Sequence, residues 1–172
     1  MKWNQQWFID TGKPCYDTHN QLALLYEFAV KSNARRILEL GVGDYGISTF
    51  ALLKAVEKTD GHLISVDNRG TCGSYYINPR WEFINAASET VSLDGQFDLI
   101  LLDTSHTAQA TTIELAKYVP MVKSDGYLFV HDTEWVGVSE PLKFYLEDNP
   151  NVLEFILKQD ESSQMSIYKK LC

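Results

Sequence analysis

Positive charge is scarce in this chain, and nowhere is it gathered. The 172 residues carry 15 Lys and Arg against 23 Asp and Glu, a formal net charge of −8. The pairs Arg35–Arg36 and Lys169–Lys170 are the nearest approach to a basic cluster. A nucleic-acid partner, which needs a basic patch, is not expected. Long apolar runs are lacking as well: none approaches the roughly 18 residues of a membrane span. The opening MKWNQQWFID has no continuous apolar stretch of the kind an export signal carries. Cysteine is down to Cys15, Cys72 and Cys172, widely spaced and outside any C-x-x-C pattern. An odd count without an export signal fits reduced thiols and a cytoplasmic setting. What is present, 45% hydrophobic and 22% charged residues, is the composition of an ordinary folded domain. The length suits one domain, residues 1–172, around one core.

Four short runs, RILEL (36–40), HLISV (62–66), FDLILL (97–102) and YLFV (127–130), are apolar without alternation. Such runs are expected of strands buried on both faces, as in a parallel sheet covered by helices. WEFIN (81–85) is a weaker fifth candidate. Helical spacing lies between them: Leu22, Leu25, Phe28 and Ala29 within 18–32; Ile47, Phe50 and Ala51; and Thr112, Leu115, Ala116 and Val119. A last helix is expected to be capped by Ser139, with Pro141 in its first turn, and to run to about Asp148. SDGY (124–127) and DNPN (148–151) carry turn residues. The final segments, NVLEFILK (151–158) and MSIYKK (165–170), are joined by a short polar turn and predict an antiparallel hairpin. Together these give an α/β domain with a Rossmann-like, doubly wound, seven-stranded sheet, mostly parallel with the antiparallel hairpin at its C-terminal end.

In such sheets ligands sit beyond the C-terminal ends of the strands, where strand order reverses. There the sequence places acids: Glu39 near the end of the first strand, Asp67 after the second, Asp103 after FDLILL, and His131–Asp132 after YLFV. Gly41, Gly43 and Gly46 spell G-x-G-x-x-G, a loop whose backbone can approach a ligand closely. Asp67 lies 21 positions past the third glycine, the place of an acid that accepts hydrogen bonds from ribose hydroxyls. A turn role within DNRG is the alternative. Glu39 separates two ligand classes. Beside a pyrophosphate a carboxylate is unfavourable, whereas an amino group is attracted to it. A helix-capping role, or a salt bridge to Arg35 or Arg36, is the alternative for Glu39.

At this point the residues resemble the class I S-adenosylmethionine-dependent methyltransferases. ILELGVGDYG is similar to their cofactor loop and SVD to their ribose-binding strand. The terminal hairpin matches the antiparallel seventh strand that simple dinucleotide-binding domains lack. The resemblance spans about residues 18–172. INAASETV (84–91) is similar to the adenine-contacting stretch of catechol O-methyltransferase-like enzymes. It implies Ser88 and Glu89 at the adenine edge, with Asn68 beside Asp67 and with Gly41, Gly43, Glu39 and Asp103 along the cofactor. LLDTSHT followed by GYLFVHDT resembles the small-molecule O-methyltransferases. In their metal-dependent members an acid after strand four and an acid–amide pair after strand five hold a divalent cation. That would make Asp103 and Asp132 ligands of Mg²⁺, with Thr133 standing where the amide is expected.

The chemistry asks for the same parts. Moving a methyl group from a sulfonium requires alignment of acceptor, carbon and sulfur, and removal of the acceptor's proton. His106, three residues past Asp103, suits a base because an unperturbed imidazole titrates near pH 6.5. Capping of the helix that begins near Thr107 is the competing role for His106. His131 is a second candidate base or a supporting residue. Trp3, Trp7, Phe8 and Tyr16 make residues 1–17 an aromatic segment, either packed on the sheet edge or folded over the cofactor and acceptor site. The expected function is methylation of a small molecule at oxygen. The alternatives are a nicotinamide-dependent oxidoreductase, disfavoured by Glu39 and the hairpin, and a non-catalytic S-adenosylmethionine-binding protein. The hairpin edge offers a surface for pairing two copies.

Overall fold

Residues 19–159 and 164–171 are described in the structure, a computed structural model. Trp3, Trp7, Phe8, Tyr16, Cys15 and Cys172 lie outside the described residues, and so does the expected covering role of residues 1–17. The chain runs α1 (His19–Lys31), β1 (Arg36–Leu40), α2 (Ile47–Thr59), β2 (His62–Asp67), a 3-10 turn, β3 (Trp81–Asn85), β4 (Phe97–Leu102) and α3 (Ala108–Tyr118). After a second 3-10 turn come β5 (Val122–Val130), α4 (Val136–Asp148), β6 (Leu153–Gln159) and β7 (Met165–Lys170). The seven strands form one sheet in the order β3-β2-β1-β4-β5-β7-β6. β1 to β5 pair in parallel, and β7 is antiparallel to both β5 and β6. Strand order reverses between β1 and β4, so the loops leaving these two strands diverge and open a crevice.

Side-chain alternation explains the unbroken apolar runs. Ile37, Leu63, Leu99, Leu101 and Phe129 point to one face and pack with α1 and α2. Leu38, Leu40, Val66, Ile100, Leu102 and Val130 point to the other, under α3 and α4. Both faces are covered, so neither set of positions can be polar unless its groups are satisfied. Glu39 and Ser65 break the rule on the first face. They do so together, and they bond to each other.

Three expected boundaries differ from the structure. β5 begins at Val122, so SDGY lies inside the strand; a register shift against β4 and a left-handed Asp125 (φ 64°) absorb its turn residues. α4 begins three residues before Ser139, with Trp135 as the cap residue, and the Ser139 hydroxyl donates back to the Trp135 carbonyl at 3.1 Å. Pro141 therefore sits inside the helix, where its missing N–H forfeits one bond. The buried face of α3 is Ala110, Thr111, Glu114, Leu115 and Tyr118; Thr112 and Ala116 are exposed. The apolar spacing misplaces this face because Glu114, a charged residue, holds one of its core positions.

Candidate active site

Gly41 begins the loop that leaves β1, with φ +92°, a conformation that L side chains rarely adopt. A Cβ there would stand 1.6 Å from the Asp103 carbonyl oxygen, so the glycine lets the β1 and β4 exits touch. The Gly41 amide donates to Val66 O and the Asp103 amide to Leu40 O, tying three strand ends together. Two cavities flank this loop. One, of about 250 Å³, is walled by α1 (Gln21, Leu22, Leu25), the loop from Val42 to Ser48, Leu101, Asp103 and His131. The other, of about 300 Å³, is walled by Gly41, Asp67, Asn68, Arg69, Ser88, Glu89, Asp103 and Ser105. Asp103 borders both.

The second cavity collects the residues expected to hold the nucleoside. The Asp67 carboxylate is almost wholly covered. It accepts from the Val42 and Gly43 amides at 2.9 and 3.3 Å, which pins the glycine loop. Arg69 adds its amide at 2.8 Å and guanidinium contacts at 3.1 Å, and reaches Asp44 at 2.5 Å. Burial opposes ionisation of Asp67, but these donors outweigh it and hold the carboxyl below its usual range. Both oxygens are thus engaged, and Arg69 bonds each of them.

Ser88 and Glu89 follow β3 on the opposite wall. The Ser88 hydroxyl donates to Glu114, whose second oxygen accepts from Thr104 at 2.9 Å. Burial raises the pKa of Glu114, opposed by these two hydroxyls. Lys117 caps the carbonyls of Ser88, Glu89 and Val91, and Tyr118 donates to Ser88 O at 2.6 Å. Glu114 and Lys117 escaped the sequence reading. The available signal was a run of polar residues, Thr111 and Glu114, at helical spacing with Leu115 and Tyr118.

Glu39 lines neither of these two cavities. Fully buried on the α2 side of the sheet, it accepts from Ser48, Thr49 and Ser65 at 2.6, 2.7 and 2.5 Å. Trp81 donates to Ser65 in turn. Burial pushes Glu39 up to about 7, against the three hydroxyls that favour its anion. The glutamate therefore fastens the first turn of α2 to β1 and β2, and the Ser48 hydroxyl stands between it and the first cavity. Neither Arg35 nor Arg36 pairs with it: their amides bond Asp98, and the Arg36 guanidinium lies over the Phe97 ring at 4.5 Å.

Between the cavities and α4 the register of β4 and β5 (Leu102 beside Val130) brings Asp103 next to His131. Ligand atoms of Asp103, His106, His131 and Asp132 all lie within 4.8 Å of one another. His106 Nε2 is 2.9 Å from Asp132 and 3.3 Å from Asp103; His131 Nδ1 is 3.0 and 3.5 Å from the same carboxylates. His106 is not the helix cap, because Thr107 fills that role with its own hydroxyl. Its backbone is left-handed (φ 54°), and so is that of Asp132 (φ 52°), strain of the kind concentrated at functional sites. Gly137 makes room for this loop, since a Cβ there would fall 2.1 Å from the His106 carbonyl. The Trp135 ring packs beside the His106 imidazole at 5.6 Å. Hydrogen bonds to Asp103 and then Asp132 lift His106 to about 10 despite burial. Burial opposes ionisation of Asp132, but His106 and His131 hold it far below the usual carboxylate range. At neutral pH His106 is therefore a cation, not the free base that its spacing suggested.

Thr133 is turned away from this cluster. Its amide donates to Gln164 O at 3.0 Å, and its hydroxyl lies 3.1 Å from that of Ser166 on β7. The oxygen expected as a third Mg²⁺ ligand is absent from the group, and two imidazoles stand there instead. Mg²⁺ favours oxygen donors, so this set does not fit it.

The fold and the strand-end site define a class I methyltransferase. A family model described as a methyltransferase domain matches residues 38–133, more than half of the chain, and the chain belongs to that family. The S-adenosylmethionine-dependent class that the sequence resembles is the one its fold adopts, and the nicotinamide oxidoreductase reading falls away. The fold is shared with an O-methyltransferase from Bacillus cereus solved with S-adenosylhomocysteine. That protein has 16% identity and a TM-score of 0.73, over 96% of this chain and 88% of the other. An S-adenosylhomocysteine-bound methyltransferase from Podospora anserina has 16% identity and a TM-score of 0.72, over 99% and 86%. An rRNA methylase from Streptococcus thermophilus shares the fold at 12% identity with a TM-score of 0.69, over 92% and 100%. Among curated proteins none matches. At these identities the neighbours establish architecture, not acceptor.

Proposed function

We propose that the protein transfers the methyl group of S-adenosylmethionine to a hydroxyl oxygen of a small molecule. The observation that carries the reading is the junction at Asp103. A nucleoside-sized cavity ending in Asp67 and a second cavity under α1 meet at one carboxylate, backed by two histidines. In this reading Asp67 and Asn68 receive the ribose, Ser88 and Glu89 face the adenine, and Gly41, Gly43 and Asp103 border the methionine portion. Glu39 supports the loop from beneath, through Ser48. The acceptor oxygen attacks the methyl carbon as the carbon–sulfur bond breaks, the electron pair returns to sulfur, and S-adenosylhomocysteine leaves. The acceptor's proton goes to the Asp103 carboxylate, while the His106 cation beside it holds the acceptor oxygen in line. A fixed charge beside the reacting atoms makes that alignment productive.

Two features support a small acceptor over a nucleic acid: the net charge of −8 and the absence of a basic cluster. No helix among the described residues is long and apolar enough to cross a membrane. We retain the cytoplasm as the expected compartment on the cysteine pattern. Pairing of two copies along β6, the edge strand from which Phe155 stands out, is a further expectation. The reading is tested by incubating the protein with methyl-labelled S-adenosylmethionine and a panel of phenolic and aliphatic alcohols. Label should pass to a hydroxyl. His106→Asn should slow that transfer about 10²- to 10⁴-fold with cofactor affinity retained. Cofactor binding without transfer to any acceptor would favour the non-catalytic alternative, and label in RNA would overturn the small-molecule acceptor.

A further inference from the structure

We propose that Glu114 is a positioning residue that sets the base specificity of the nucleoside cavity. It holds the hydroxyls of Ser88 and Thr104 as acceptors toward the base, so a purine with an amino group at position 6 is taken and one with an oxygen there is refused. The inference rests on the nucleoside reading of that cavity. Glu114 lines neither large cavity, whereas Ser88 and Thr104 both line the nucleoside one. The glutamate stands behind them on α3, 2% exposed, and each of its oxygens accepts from one of the two hydroxyls. A hydroxyl has one proton and two lone pairs. With the proton committed to Glu114, only lone pairs remain for the cavity. The Ser88 hydroxyl also lies 3.2 Å from Glu89, so a second carboxylate competes for the same proton. Glu89 lines the cavity as well and adds further acceptor oxygens to this wall.

α3 leaves this wall little freedom to adapt. Glu114, Lys117 and Tyr118 follow one another at helical spacing, on one face of α3, and all three reach Ser88. Lys117 donates to the carbonyls of Ser88 at 2.9 Å, Glu89 at 3.2 Å and Val91, and Tyr118 donates to the Ser88 carbonyl at 2.6 Å. The Ser88 backbone is thereby fixed while its hydroxyl proton is turned inward. An amino group at position 6 brings N–H donors to the lone pairs it meets. A carbonyl oxygen there sets its own lone pairs against them. Either hydroxyl could rotate to donate to that oxygen, but a Glu114 oxygen would then be left buried without its donor, which costs more than an ordinary hydrogen bond returns. A site whose buried polar groups are left unpaired by the wrong ligand rejects that ligand.

The test is calorimetric and uses the full-length protein with S-adenosylhomocysteine and with S-inosylhomocysteine, which carry the amino and the oxo group at position 6. The wild type should bind the adenosyl compound at least about tenfold more tightly than the inosyl one. Glu114→Gln sets an amide donor against one hydroxyl and turns that proton toward the cavity; it should cut the preference by at least about threefold. Glu114→Leu, which releases both hydroxyls, should cut it at least as far. In a chain that already carries Ser88→Ala and Thr104→Val, replacing Glu114 should leave the preference unchanged, because nothing remains for it to orient. Thermal unfolding of each variant reports that it is folded. No preference in the wild type, a preference unaltered by both Glu114→Gln and Glu114→Leu, or an equal fall in the chain without the two hydroxyls would overturn the inference, the last by showing Glu114 to be a structural brace alone. Equal affinity for the two compounds removes this inference and leaves the methyltransferase reading standing, whereas binding of neither removes both.

Discussion

Glu39→Gln should remove a defined pH dependence from the stability of this protein. Burial raises Glu39 from 4.5 to about 7 in the folded chain. Below about pH 4.5 the carboxyl is protonated in both folded and unfolded chains, and the group adds no pH dependence. Between about 4.5 and 7 the unfolded chain gives up the proton while the folded chain keeps it, so stability falls as pH rises. Above about 7 the loss is complete. At about 1.4 kcal/mol per pH unit, the span is worth about 3 kcal/mol. Glutamine is neutral in both states and keeps an acceptor for the hydroxyls of Ser48, Thr49 and Ser65. Denaturant unfolding of both proteins at intervals from pH 4.5 to 8, read as the difference between them, isolates Glu39 from every other titrating group. The difference, wild type minus variant, should fall by about 3 kcal/mol up to pH 7 and then level off. Parallel profiles would refute a buried, proton-holding Glu39.

Asp67→Ala should weaken S-adenosylhomocysteine binding by about 3 kcal/mol, roughly 100-fold, through loss of two charge-assisted hydrogen bonds to ribose. Arg69→Ala, which frees the same carboxylate, should not weaken binding. Unchanged affinity for Asp67→Ala in calorimetry would remove the ribose assignment. Gly41→Ala should destabilise the fold by about 4 kcal/mol or more, because its Cβ meets the Asp103 carbonyl and its backbone is left-handed. A thermal midpoint within a degree of wild type would show that the two strand exits are not in contact.

The layered sheet could be read from the chain because both faces are buried. Runs such as LILL (99–102) then have no polar positions to confuse their phase, and a hairpin with a polar turn announces its own antiparallel pairing. Strand-end acids were legible for the same reason, since the end of a buried run marks where charge can begin. What escaped depends on pairing between distant segments. His131 looked like a supporting residue until the β4–β5 register set it beside Asp103, and that register follows from a shift within β5. The two carboxylates then reversed the charge state inferred for His106 from spacing alone. Arg69 on Asp67 is a side-chain choice that no periodicity encodes. Glu114 misled the helix phase because a satisfied carboxylate can occupy a core position. Glu39 was partly legible. Its alternation with Ile37 pointed it toward α2, and the hydroxyls of Ser48 and Thr49 waited there in the sequence.

The cofactor loop can be tested by one calorimetric comparison: titration of the full-length protein with S-adenosylhomocysteine and, separately, with NAD⁺. The account predicts one equivalent of S-adenosylhomocysteine bound, in competition with S-adenosylmethionine, and no detectable heat from NAD⁺. Binding of NAD⁺ without binding of S-adenosylhomocysteine would contradict it.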